Sequence, residues 1–328
     1  MNWIRPTLRR RLPAESPSVA SLVSVLAGLA ALLAVASLPA PVSARTHLSG
    51  VRDPAPPASV APRNQREPSV VGTDNRALVG DTTVFPYSAI AAIEVYDDIG
   101  QLTETCTAAF VGPDAVLTAG HCLWDPETGH WASHVRVIPG KDGPLEPFGS
   151  QFATDWWAPD AFIASGGASN DDWGLIRLPD GHLAADAHWL PIAALSDAQL
   201  GADTFTPAVA GYPSDIGEGT MWLDSAPGLA IIDPALLWYA IDTGPGESGA
   251  PIWSSDRASP AFAQVAGIHT WAPDLPGGPN NGVRITSAVI ADLREACRQI
   301  RCTLDVADPT EPSPARTYRA IGPFIARD

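Results

Sequence analysis

The chain has 328 residues, a hydrophobic fraction of 45%, 33 Pro, 28 Gly and a formal net charge of −16. That length holds one large domain or two small ones, and the apolar fraction supports a real core in a loop-rich fold. The acidity, with Lys141 as the single lysine, repels nucleic acid and anionic membranes and excludes polyanion-binding functions; solubility outside the cell is its plainest reading.

Chain order begins with targeting signals. Arg5, Arg9, Arg10 and Arg11 form a basic start, an apolar run follows over 19–38, and "PAPVSA" places Val42 and Ala44 in a small-residue cleavage pattern. This is the order of a secretory signal peptide, expected over 1–44. The rival is an uncleaved anchor, because the run is nearly long enough to span a bilayer. With cleavage, no stable membrane association is expected and the product is secreted. Residues 45–68 are rich in Pro, Ala, Arg and Ser without apolar periodicity and read as a pro-segment or linker.

From Ser69 the pattern changes to short β-type runs separated by Gly, Pro and Asp turns. They fall at 88–96, 106–112, 115–120, 134–140, 173–179, 206–213, 236–243, 250–253, 263–270 and 282–288. Regular short strands of this kind predict an all-β barrel or sandwich. One stretch, "SAVIADLREACRQI" (287–300), has helical spacing at Val289, Leu293, Ala296 and Ile300. The folded domain is expected over 69–302, followed by a loosely ordered Pro-rich extension over 303–328.

The four cysteines should be oxidised in an exported chain. Cys106 and Cys122 bracket a short loop, and Cys297 and Cys302 lie near the helix end. Four cysteines allow three connectivities, of which local pairing is favoured. The second pair then requires the helix to end between its members, because five residues of unbroken helix separate the two too far.

Three motifs carry candidate chemistry. "TAGHC" (118–122) sets His121 at a strand end beside Cys122. A zinc site from Cys106, His121 and Cys122 lacks the usual paired spacing, so no metal is expected. "NDDWGLIRL" (170–178) runs a polar loop with Asp171 and Asp172 into an apolar strand; Asp172, next to the strand, is the better candidate for a buried role. "GPGESGAPIW" (244–253) holds Ser248 between Glu247 and Gly249. Taken singly, these are an ordinary histidine, turn aspartates and a turn serine. A serine hydroxyl becomes a nucleophile only with a base to take its proton and a carboxylate to orient that base, and histidine suits the base at neutral pH. Gly246 lets the Gly246 and Ser248 amides converge as an oxyanion hole. Ala250 breaks the Gly-x-Ser-x-Gly elbow of other hydrolases.

"TAGHC", "DDWGLIRL" and "GESGAP", in the order His, Asp, Ser, resemble the chymotrypsin-like serine peptidases. The resemblance implies two antiparallel six-stranded β-barrels with the site in the crevice between them and a C-terminal helix. It also implies His121 as general base, Asp172 as its orienter and Ser248 as nucleophile. "SVVGTDNRALVGDTTVFPYSAIAAI" (69–93), "GYP" (211–213), "AIDTGPGESGAPIW", "GIHTWAP" and "NNGVRITSAVI" look like blocks of the secreted bacterial glutamyl endopeptidases. In that family a histidine and a small hydroxyl residue bind the P1 glutamate of the substrate, which here match His269 and Thr243; the mature α-amino group helps offset the bound carboxylate. The resemblance thus implies a precursor whose mature chain starts at Ser69 or Val70, acting on proteins or peptides with no cofactor. A monomer is expected.

Two residues depart from the glutamyl pattern. Asp242 lies six residues before Ser248, where trypsin-like members bind a basic P1 side chain, so cleavage after Arg or Lys is the alternative specificity. Glu247 stands where relatives of the glutamyl type usually have an amide and where trypsin-like zymogens use an acid to receive a new N-terminus; pairing with the mature α-amine and simple solvent exposure are both open. A catalytically silent secreted binding protein on the same fold is the rival outside enzymes.

Overall fold

The structure, a computed structural model, describes residues 70–271 and 278–307, all within the unit Leu48–Asp328. The expected signal peptide, the pro-segment and the extension from 308 onward lie outside the described residues. Among the described residues no helix is long and apolar enough to cross a membrane.

Two antiparallel sheets make the body. From edge to edge the first runs Gln151–Phe152, His134–Pro139, Ile90–Tyr96, Leu102–Phe110, Ala115–Thr118, Gly174–Arg177 and Asp155–Trp157. The second runs Ala77–Leu78, Trp222–Ser225, Pro207–Gly211, Pro251–Ser254, Gly267–Trp271, Asn280–Arg284, Leu236–Tyr239 and Ile231–Ile232. Each curls into a half-barrel. The fold class expected from the strand pattern is therefore present, but the counts are seven and eight rather than six and six, because short edge strands such as Ala77–Leu78 and Gln151–Phe152 join each sheet.

Every predicted β-run contains a strand. The boundaries move where polarity hides them: the strand expected from Cys106 begins at Leu102, since "LTET" is exposed on its outer half while 106–110 is buried. Ile93, Phe110, Val116, Leu123, Val137 and Ile176 fill the first barrel. Phe205, Val209, Leu237, Tyr239 and Ile252 fill the second. A third cluster, with Ile90, Leu117, Trp173, Tyr212, Trp253 and Ile268, joins the two sheets. Burial of these side chains, at about 1.5–3 kcal/mol each, is the main force closing the sheets on one another.

The helix spans Ser287–Ile300, as predicted. Thr286 caps it, its hydroxyl accepting from the Val289 amide at 3.2 Å. Its buried face is Ile290, Leu293, Ala296, Cys297 and Ile300, so Val289, expected inside, is only partly covered and Ile290 takes its place. Arg301 adopts a left-handed conformation, φ 63°, and ends the helix. That turn brings Cys302 back over Cys297, with their Cα atoms 4.9 Å apart and a disulfide between them. Cys106 and Cys122 form the other disulfide.

Folded structure continues beyond Cys302. The Ile192 amide donates to Asp305 O, the Asp305 amide to Val111 O, and the Ala307 amide to Ile192 O. Residues 303–307, expected to leave the domain, are still part of it.

Candidate active site

The site grows out of strand ends. Ala115–Thr118 pairs with Gly174–Arg177 with Thr118 opposite Gly174. His121 follows the first strand by three residues and Asp172 precedes the second by two, so the pairing brings them together. The Asp172 carboxylate accepts twice from His121: at Oδ1 from the backbone amide, 2.9 Å, and at Oδ2 from Nδ1, 2.7 Å. Asp172 is fully buried and His121 nearly so. Burial of His121 lowers its pKa, but the Asp172 charge and hydrogen bond, with smaller help from Glu104 and Asp125, prevail and hold it above the ordinary histidine value. The disulfide to Cys106 pins Cys122 next to His121, and the Trp271 ring lies 4.4 Å from the His121 ring. Asp171, the neighbouring candidate, is not part of this pair.

Ser248 comes from the second sheet. Pro251 pairs with Ile268, and the Gly249 amide donates to His269 O at 2.7 Å, so the loop before Pro251 lies along His269. From the first sheet the Thr107 amide donates to Ser248 O at 2.8 Å, and Cys122 Sγ is 3.8 Å from the same oxygen. Ser248 therefore sits where the two sheets meet, on the side of the His121–Cys122 corner. Two glycines are required here. Gly246 has φ +94°, and a Cβ on it would lie 2.5 Å from Tyr212 O; Gly249 has φ +87°, and its Cβ would lie 2.2 Å from both Thr107 O and Thr118 Oγ1. Thr107 Oγ1 donates to Gly246 O at 2.9 Å, which turns that peptide's carbonyl toward the protein. Among the described residues the Gly246 and Ser248 amides meet no acceptor.

His269 and Thr243 are both fully buried. The Tyr239 hydroxyl is 2.6 Å from His269 Nδ1. Burial raises the Tyr239 phenol well above its ordinary value, so it keeps its proton and is able to donate to Nδ1. With the phenol donating, Nδ1 accepts and the ring proton sits on Nε2. Burial, with the repulsion of His121, outweighs the opposing pull of the Asn281 backbone and lowers the His269 pKa to about 3, so the ring is neutral in ordinary buffers. Neither His269 Nε2 nor Thr243 Oγ1 has a partner among the described residues. Two buried polar atoms without partners are costly to leave so, and with the phenol donating to Nδ1 they match an acceptor brought by a ligand.

Asp242 is engaged elsewhere. Its Oδ1 accepts from the Val71 amide at 2.6 Å, and its Oδ2 from the Asn75 amide at 2.7 Å and Asn75 Nδ2 at 3.2 Å. The N-terminal stretch occupies both oxygens. Glu247 is not solvent-exposed: it is 1% accessible, its Oε2 accepts from the Gly244 amide at 2.7 Å, and Arg76 Nη1 lies 3.8 Å away. Burial raises its pKa to about 8 against the opposing pull of the Gly244 amide and Arg76.

Tyr239, Trp271 and Arg76 were not singled out by the sequence. Tyr239 lies inside an apolar strand run where an aromatic is ordinary core, and nothing in the spacing ties it to His269. Arg76 carried one readable signal, a lone basic residue beside Asp74 in an acidic chain.

A family model described as Trypsin matches residues 34–227, a stretch that contains His121 and Asp172 and ends before Ser248. The chain belongs to the trypsin family and is a serine protease with the chymotrypsin fold. Its particular likeness is to glutamyl endopeptidases. It is 34% identical over 227 residues to the glutamyl endopeptidase of Bacillus licheniformis, covering 69% of this chain and 68% of that protein. A solved Glu endopeptidase structure superposes with a TM-score of 0.61 at 26% identity, covering 69% of this chain and 98% of that one. The chain is also 32% identical over 231 residues to a Bacillus subtilis (strain 168) protein named extracellular metalloprotease, covering 69% of each.

That last name raises a metal, and the candidate ligands among the described residues do not fit one. Among the described residues, the group with metal-ligand chemistry is Glu104, Cys106, His121 and Cys122. Its two sulfurs are joined in a disulfide and cannot serve as thiolates, and Nδ1 of His121 is committed to Asp172.

Proposed function

We propose that this chain is a secreted endopeptidase, made as a precursor, that cleaves peptide bonds after Glu and secondarily Asp. Ser248 Oγ attacks the scissile carbonyl carbon while His121 Nε2 takes the hydroxyl proton. Asp172 holds the ring by Nδ1 and stabilises the imidazolium that forms. The Gly246 and Ser248 amides receive the oxyanion, a contribution of about 2.7–4 kcal/mol per donor. The C–N bond breaks as His121 returns the proton to the leaving amine. Water then repeats the cycle on the acyl-enzyme, releasing the acid product and restoring Ser248. The short His121–Asp172 bond and the unengaged amides of the nucleophile loop support this reading.

The observation that carries the specificity is the pair of unpartnered atoms, His269 Nε2 and Thr243 Oγ1. A P1 carboxylate supplies the acceptors they lack, and the Tyr239 hydrogen bond aims the His269 proton away from Nδ1. A basic P1 group offers only donors and would face a histidine N–H. Asp242, which would have to receive it, already holds the Val71 and Asn75 amides. The likeness to a glutamyl endopeptidase supports the same choice. Secretion, removal of 1–44 and 45–68, and action as a monomer are part of this reading.

A peptide panel differing only at P1 tests it. Cleavage after Glu, weaker cleavage after Asp and none after Arg or Lys is expected; preferential cleavage after Arg or Lys overturns the specificity and returns the pocket to Asp242.

A further inference from the structure

The loop that carries Ser248 is bound to a charge cluster that the reaction itself does not use. Arg76, on the N-terminal stretch before Ala77–Leu78, is buried to 2% side-chain accessibility. Its Nη1 and Nη2 donate to Asp215 Oδ1 and Oδ2 at 2.9 and 2.7 Å, a bidentate pair. Its Nε and Nη2 donate to Asp74 at 3.1 and 2.9 Å. Nη1 also lies 3.8 Å from Glu247 Oε2, the oxygen that receives the Gly244 amide. The loop backbone packs directly on the pair: a Cβ on Gly244 would lie 2.4 Å from Asp215 Oδ1 and 2.5 Å from Arg76 Nη1. One residue before Asp215, the Ser214 amide donates to Pro245 O at 2.7 Å. Gly244, Pro245 and Glu247 are thus each tied to this cluster or its flank, and among the described residues the loop amides left without an acceptor are those of Gly246 and Ser248.

We propose that Arg76 is a positioning residue for the oxyanion loop, the fixed internal cation that offsets Glu247 beside Ser248, in place of a newly made chain end. Asp215 holds the guanidinium in place, and Arg76 offsets a carboxylate that would otherwise be buried beside the oxyanion donors with only acidic neighbours. Once Glu247 ionises, above its value of about 8, loss of Arg76 leaves it uncompensated, the situation in which breaking one side of a buried pair is most costly. The loop then shifts or takes a proton, and the amides lose their aim. The effect is expected to fall on transition-state stabilisation more than on ground-state binding, since neither the His269 ring nor the Thr243 hydroxyl hydrogen-bonds to the cluster among the described residues.

This inference rests on Ser248 as nucleophile, and a cycle of variants separates the two. Wild type, Arg76→Gln, Glu247→Gln and the double variant are compared at about pH 9, above the Glu247 value of about 8, for kcat and KM on a Glu-P1 peptide and for labelling by a fluorophosphonate. Arg76→Gln is expected to lower kcat about 10²-fold, the scale of losing one oxyanion donor, with KM nearly unchanged. The double variant is expected to recover at least tenfold of that loss, because the carboxylate needing compensation is gone. Equal kcat in Arg76→Gln and wild type, or losses that simply multiply in the double variant, overturns the inference. If Arg76→Gln does not fold, the double variant decides: restored folding and turnover support the inference, and no restoration overturns it. Absence of turnover and labelling in wild type is a failure of the serine-nucleophile reading instead.

Discussion

The Tyr239 hydroxyl lies 2.6 Å from Nδ1 of His269, with both side chains fully buried. That one bond decides which ring nitrogen carries the proton in the proposed P1 pocket. Tyr239→Phe removes the donor and lets the proton sit on either nitrogen. The kcat/KM for Glu-P1 peptides is expected to fall about tenfold, the scale of one buried hydrogen bond, while peptides with a small neutral P1 residue change little. An unchanged Glu preference, measured on paired substrates, would remove Tyr239 from the specificity argument.

His121 must be neutral to accept the Ser248 proton. Because Asp172 holds its pKa above the ordinary value, kcat/KM should rise with pH along a limb whose midpoint lies above 6.5. Asp172→Asn should move that midpoint down and lower kcat about 10⁴-fold, as the same change does in other enzymes with this triad. A pH–rate profile of both proteins reads the two effects together. A limb that stays in place in Asp172→Asn contradicts the assignment.

Gly246 sits at φ +94° with Tyr212 O where a Cβ would go. Gly246→Ala is therefore expected to lose about 1–3 kcal/mol of stability from backbone strain alone. It should lose a larger share of kcat, since the strained residue carries a proposed oxyanion donor. Thermal melts and steady-state kinetics separate the two losses. Full activity would mean that the Gly246 amide is not used.

Much of the arrangement was legible because the candidate residues lie in short, ordered motifs at strand ends. "TAGHC" and "DDWGLIRL" each flank an apolar strand, and antiparallel pairing of Thr118 with Gly174 does the rest. The ten β-runs and the helix 287–300 were legible from periodicity for the same reason. What was not legible depends on contacts between distant segments. Asp242 looks like a pocket acid by its count from Ser248, and only the return of the chain at Val71 and Asn75 occupies it. Glu247 looks solvent-exposed or free for a chain end until Arg76 is brought across from the N-terminal stretch. Strands two or three residues long, such as Asp155–Trp157 and Ile231–Ile232, carry too few residues for a period to appear.

Glu247 also sets a dependence of stability on pH. Its folded value of about 8 lies above the ordinary 4.5, because burial outweighs the Gly244 amide and Arg76 while Asp215 and Asp224 add repulsion. Between those values the folded chain keeps a proton that the unfolded chain has released. This group's contribution to stability is therefore greatest below about 4.5 and falls as pH rises toward about 8. Glu247→Gln should flatten that fall and raise the melting temperature relative to wild type at pH 8 more than at pH 5. Parallel melting curves at the two pH values would contradict it.

The central claim is that Ser248 forms the acyl-enzyme with His121 as its base. The most direct measurement is reaction with a fluorophosphonate, followed by intact-mass and peptide mapping alongside turnover of a Glu-P1 peptide. One adduct per chain on Ser248 is predicted, with labelling and turnover both abolished in Ser248→Ala and strongly slowed in His121→Ala. An adduct elsewhere, or turnover preserved in Ser248→Ala, would contradict the account.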